Sequence, residues 1–154
     1  MQRLIKILFS FLLSGCVTMG DALFSMPDVP PPGYATLIVY RQGSLDPLQD
    51  FRVYVDDTLI VGLGPNTYSY TYVKEGQHLV RWGIYDGESR GESRVTMVAG
   101  ETYVYKTSLK RELLLPVLPI LLVKDSTSGS FTEPHAANGE LDRKRYVRAN
   151  VPSL

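Results

Sequence analysis

Few residues in this 154-residue chain are of a type and spacing that could do chemistry. Its one cysteine, Cys16, follows Leu13-Ser14-Gly15 at the end of an apolar run. A single thiol cannot form an intramolecular disulfide, and it has no companion thiolates for a metal site. The two histidines, His78 and His135, stand apart from each other and from any ligand-spaced acids, so no metal is expected. His78 follows a glycine turn and reads as a cap or a sheet-packing residue rather than a general base. The serines lack a Gly-x-Ser-x-Gly setting, and Gly62-Leu63-Gly64 is a bend rather than a phosphate-binding loop. Asp56-Asp57 is a turn signal without the spaced acids of a dedicated calcium loop. The residues therefore predict no catalytic group, no cofactor and no enzyme, and the chemistry left is that of the Cys16 sulfur.

The elements that place that sulfur lie before it. Arg3 and Lys6 form a positive start, and Ile7–Leu13 is apolar except for Ser10. A small-residue site follows, which is the layout of a secretory signal over residues 1–15. The run is far shorter than the ~20 residues of a spanning helix. Leu13-Ser14-Gly15-Cys16 resembles the bacterial lipobox, and the resemblance implies a diacylglyceryl thioether on Cys16, which becomes the mature, acylated N-terminus. More than one acyl chain makes residence in the bilayer durable, at ~0.8 kcal/mol per buried methylene. The alternative is an ordinary signal peptide with a chance cysteine. In the sorting rule of enteric-type bacteria an aspartate after the cysteine retains the protein in the inner membrane. Val17 stands there instead, which points to the periplasmic face of the outer membrane. Residues 16–33, with Val29-Pro30-Pro31-Pro32-Gly33, read as an extended tether, or else as a loop packed flat on the domain.

Charge is balanced at 16 basic and 16 acidic residues, and removing residues 1–15 leaves an excess of about two acids. Nucleic acid is not an expected partner, since it demands a concentrated basic footprint. Ten tyrosines, 13 glycines and 10 prolines suit a turn-rich β protein.

From Ala35 the chain alternates short apolar runs with turns. Leu37-Ile38-Val39-Tyr40 is a compact first strand. Phe51, Val53 and Val55 alternate with Arg52 and Tyr54, and Leu59-Ile60-Val61 returns after Asp56-Asp57. Tyr68, Tyr70 and Tyr72 share one face, as do Val80, Trp82 and Ile84. Val95–Val98 and Thr102–Thr107 complete about seven short strands. The fold class predicted is all-β: an antiparallel two-sheet β-sandwich over residues 34–124, without a helix. The ordered set Val53-Tyr54-Val55-Asp56-Asp57, Gly62, Thr67-Tyr68, Gly76-Gln77-His78 and Ala99-Gly100-Glu101-Thr102-Tyr103 resembles the bacterial lipoprotein family DUF2846, related in flavour to PEGA-type repeats. The resemblance covers about residues 35–108. It implies a β-sandwich lipoprotein and supplies no catalytic residues; Glu75 and the long C-terminal extension depart from it.

Leu113–Val123 is the most apolar stretch after the signal and contains Pro116 and Pro119. It reads as a buried strand or edge cover, or as an exposed surface, with Leu118 and Ile120, that docks on a partner or dips into the membrane. Residues 125–139 read as a flexible loop within a loop-and-tail region 125–154. Arg143-Lys144-Arg145 with Arg148 is a solvated basic face or a contact for anionic headgroups. Tyr68, Tyr70 and Tyr72 are either sheet-packing residues or a platform for sugar rings. The function expected is a membrane-anchored, non-enzymatic structural or protein-interaction module of the cell envelope, touching the membrane through Cys16 and another envelope protein. The alternative is a glycan- or peptidoglycan-binding module.

Overall fold

The strand centred on Leu37-Ile38-Val39-Tyr40, β1 (Tyr34–Gln42), is buried on both faces, which is why its sequence does not alternate. The computed structural model describes residues 24–43, 50–84, 90–117 and 120–151, with side chains described outside 109–127. Around β1 lie β2 (Phe51–Val55), β3 (Thr58–Leu63), β4 (Thr67–Lys74), β5 (Gly76–Gly83), β6 (Gly91–Met97), β7 (Thr102–Val117), β8 (Ile120–Thr132), helix α1 (Pro134–Leu141) and the short β9 (Arg145–Tyr146). They form a five-stranded sheet, β8-β7-β1-β4-β9, and a four-stranded sheet, β3-β2-β5-β6. The all-β sandwich expected from the sequence is the fold observed.

The main core lies between the sheets. Leu37 and Val39 of β1 meet Phe51, Val53 and Val55 of β2, Ile60 and Leu63 of β3, and Val80 and Trp82 of β5. Burying each aliphatic chain of this size contributes about 1.5–3 kcal/mol. The β2–β3 turn is built by Asp56 and Asp57 at φ 46° and 69°, both in the left-handed region that a two-residue type I′ hairpin requires.

Four expectations are corrected. First, the sheets are not purely antiparallel: β1 pairs in parallel with β7 and β4 with β9, because the chain crosses between sheets before returning. Nine strands are present among the described residues, since β8 and β9 add to the seven expected. Second, residues 125–139 are not a loop. β8 runs to Thr132, where cross-strand partners on β7 satisfy its polar Ser-Thr-Gly backbone, and α1 follows. Pro134 occupies the start of α1, where its missing N–H costs nothing. Third, residues 125–132 and 145–151 belong to the sandwich. Val147, Ala149 and Val151 pack on the core, and the Asn150 amide donates to the Ile60 carbonyl at 2.7 Å, bridging from one sheet to the other. Fourth, residues 24–28 are packed on the domain rather than extended from it. Phe24 lies on Tyr68 with ring centroids 5.1 Å apart, and the Tyr72 hydroxyl donates to the Asp28 carbonyl at 3.4 Å.

Candidate functional site

The five-stranded sheet has an outer face that the sandwich core leaves uncovered, and most of the polar and aromatic groups of interest converge there. The register sets Tyr40 opposite Tyr68, Ile38 opposite Tyr70 and Thr36 opposite Tyr72, so the tyrosines of β4 and the even-numbered residues of β1 share this face. α1 covers part of it with Ala137 and Leu141 over Ile38, Tyr40, Tyr68 and Val104.

Beneath α1 is a charged cluster in which Tyr40 and Lys144 are buried and Lys106 and Glu140 are partly exposed. Tyr40 donates its hydroxyl to Glu140 Oε2 at 2.9 Å, and Lys106 Nζ donates to Glu140 Oε1 at 2.8 Å. The Lys144 ammonium, itself buried, lies 5.2 Å from the centroid of the Tyr40 ring. Burial pushes the Tyr40 hydroxyl well above its ordinary range, and the Glu140 carboxylate adds to that shift. The hydrogen bond from Lys106 holds Glu140 below its usual value despite partial burial. Burial lowers the Lys144 ammonium, with Glu140 opposing the shift. Two cations flank one carboxylate, leaving the cluster a net positive charge, and the Lys106–Glu140 ion pair ties the helix to the sheet.

Of the three tyrosines singled out in the sequence, Tyr68 is buried at 2 % exposure beneath Phe24, with a backbone hydrogen bond from Ser25. It is not available for stacking a sugar. Tyr70 and Tyr72 are half-buried, and their rings are inclined at 60°. Tyr146 joins them, 5.5 Å from Tyr70 at 36°. These rings are mutually inclined and form a cluster rather than one flat platform. Burial raises the hydroxyls of Tyr72 and Tyr146, with Tyr70 contributing. Sequence reading missed Tyr146 and Glu140. The apolar alternation Val147, Ala149, Val151 was the available signal that this tail is extended and half-buried.

His78 lies on the other sheet, where it ties the β4–β5 turn to the β2–β3 turn. With Asp56, Leu79 and Arg94 it lines a pocket of about 210 Å³. A larger open groove of about 570 Å³ lies at the start of β7, between Val95, Tyr103, Phe131 and Glu133. Among the described residues no group of three or more His, Cys, Asp or Glu side chains is placed to share a metal ion, and no helix is long and apolar enough to cross a membrane. Cys16, with Leu13, Ser14 and Gly15 before it, lies outside the described residues, as does Leu118; Ile120 begins β8.

Compared with known protein families and with curated protein sequences, the chain matches none.

Proposed function

We propose that this protein is a lipid-anchored lipoprotein of the bacterial envelope whose β-sandwich is a non-enzymatic structural or protein-interaction module. The observation that carries the reading is Leu13-Ser14-Gly15-Cys16, which puts the one thiol of the chain where a lipoprotein receives its diacylglyceryl group. The motif order over residues 35–108, which resembles DUF2846, supports the same reading. So does the docking of Phe24, Ser25 and Asp28 on the outer face, which keeps an anchor at Cys16 within about 30 Å of the domain. Val17 favours the outer membrane. The test is metabolic labelling with palmitate followed by membrane fractionation. Wild type takes up label and Cys16→Ala does not; equal labelling of the two would end the anchor reading. In-cell crosslinking of the lipidated protein then identifies the envelope protein it meets.

A glycan-binding role has a narrower basis: the half-exposed Tyr70, Tyr72 and Tyr146, with Arg148 near enough to offset part of the rise that burial gives the Tyr146 hydroxyl. Sedimentation with purified peptidoglycan tests it, and loss on Tyr70→Ala with Tyr146→Ala is the outcome it requires.

A further inference from the structure

The β7–β8 hairpin is longer than the sheet it belongs to. β1 pairs with β7 only from Thr36↔Thr102 to Gln42↔Ser108, where β1 ends. Beyond that level, residues 109–117 of β7 ladder with β8 alone among the described residues, from Leu109↔Thr127 out to Val117↔Ile120. Nine residues of strand carry this two-stranded ribbon roughly 30 Å past the sheet.

The composition of the ribbon changes at one level on both strands. Arg111 is the register partner of Asp125 and Glu112 that of Lys124, so residues of opposite charge are paired along the ladder. Every pair beyond them is apolar: Leu113↔Val123, Leu115↔Leu122, Pro116↔Leu121 and Val117↔Ile120. The end of the ribbon is therefore apolar on both of its faces. A protein groove would take one face and leave the other wet, whereas a hydrocarbon layer takes both. The five residues from Leu113 to Val117 span about 17 Å, close to the roughly 15 Å depth of one leaflet. Both outer edges of the ribbon carry unpaired backbone groups, a cost in hydrocarbon that the apolar end must offset and that rises with depth, so the charged pairs set the limit of insertion. Pro116 has no amide N–H to leave unsatisfied.

Two further features leave the domain at this same end. The N-terminal segment lies along the outer face from Asp28, on Tyr72 at the level of Thr36, to Phe24, on Tyr68 at the level of Tyr40, and so points the way the ribbon does. Exposed Arg143 and Arg145 are there too, since the Arg145 amide donates to the Asn66 carbonyl beside the last residues of β1. Glu112 lies about 20 Å beyond the Tyr40 level, inside the reach of an anchor at Cys16.

We infer that the ribbon end, Leu113–Val117 with Ile120–Val123, inserts into one leaflet of the membrane that holds the lipid, with the Arg111–Asp125 and Glu112–Lys124 pairs at the headgroup level and Arg143 and Arg145 facing anionic headgroups. The inference rests on the anchored-lipoprotein reading and gives the domain a fixed orientation on the bilayer.

The test uses the mature protein reconstituted in vesicles of phosphatidylethanolamine and phosphatidylglycerol. With Cys16 modified, Leu115→Cys, Leu121→Cys and, as a reference below the charged pairs, Ser128→Cys each carry a single free thiol for an environment-sensitive dye. Dyes at 115 and 121 are expected to shift to the blue and to be quenched several-fold more by lipids with acyl-chain nitroxides than the dye at 128, and to resist aqueous iodide. Iodide quenching at 115 and 121 equal to that at 128 would place the ribbon end in water and overturn the inference. Shielding from both quenchers would show a protein cover and overturn it equally. The mass of the mature N-terminus, read on the same samples, reports separately whether Cys16 is lipidated.

Discussion

His78 sets its Nδ1 2.6 Å from Asp56 Oδ2 while its Nε2 lies 2.7 Å from the Lys74 carbonyl oxygen. A carbonyl only accepts, so Nε2 donates to Lys74 while Nδ1 faces the Asp56 carboxyl. The Leu79 amide donates to the other carboxylate oxygen at 2.9 Å. Partial burial alone would raise the Asp56 carboxyl; the Leu79 amide and His78 outweigh it and hold it below its ordinary value. A carboxyl lowered on folding stabilises the fold above the unfolded-state value, and that contribution is lost as pH falls through the folded-state value. Asp56→Asn keeps a residue tolerant of φ 46° and removes the charge. Because the side chain is 52 % exposed, the expected loss at neutral pH is no more than about 1 kcal/mol. Urea midpoints of the two proteins should converge as pH falls below the ordinary aspartate range; a constant gap would refute the assignment.

Trp82 and Gly91 face each other across β5 and β6, and a Cβ on Gly91 would overlap the indole ring. The ring also packs on Tyr105, with centroids 5.8 Å apart, within the buried core, and cannot swing away cheaply. Gly91→Ala should cost about 1–3 kcal/mol by overpacking. Trp82 is the single tryptophan, so its emission should shift to the red in the variant. An unchanged spectrum and unfolding midpoint would contradict this packing.

The legible parts of the fold were those in which one strand face meets the core and the other does not. Phe51, Val53 and Val55 alternate as expected, and Asp56-Asp57 announces its turn through chemistry local to those residues. Less was legible where pairing partners are distant in sequence. Ser126–Ser130 has turn-like composition, yet the long ladder to Ser108–Lys110 and Lys106 makes it strand. Pro134–Leu141 contains Asn138 and Gly139 and has no side-chain cap at Glu133; it is helical because Ala137 and Leu141 cover a sheet face. The Tyr40–Glu140 contact spans 100 positions of sequence, beyond the reach of any local pattern.

That contact yields a third prediction. Glu140 accepts from Tyr40 and Lys106 and lies beside buried Lys144, so Glu140→Ala removes the counter-charge from two ammonium groups. The cost expected is about 1–2 kcal/mol, since Glu140 itself is partly exposed. The loss should be concentrated in α1. Hydrogen exchange at the Ala136, Ala137 and Asp142 amides, which hydrogen-bond within and just after the helix, should quicken more than exchange in β2 or β5. Uniform acceleration across both sheets would mean that the cluster supports the whole sandwich rather than the helix.

The tail gives the fourth prediction and the largest effect. The Arg145 amide donates to Asn66, the Val147 amide to the Tyr68 carbonyl at 2.8 Å, and the Asn150 amide to Ile60, while the Thr71 hydroxyl donates to the Val151 carbonyl at 2.9 Å. The segment thus lies along the outer edge of β4 and crosses to β3, covering the open side of the sandwich. A chain ending at Lys144 would lose these bonds and uncover the core beside Val73 and Ile60, where Val147, Ala149 and Val151 pack. It would also leave β4 as a bare edge strand, a template for pairing between molecules. Loss of two partly buried valines and an alanine, together with these four hydrogen bonds, should cost about 2–4 kcal/mol, since full burial of a valine is worth about 1.5–3 kcal/mol and a hydrogen bond about 1. The truncated protein is expected to bind a hydrophobic dye and to associate at concentrations where the full chain is monodisperse. If instead it unfolds cooperatively at the wild-type midpoint, the tail is a surface attachment and the sandwich is complete without it.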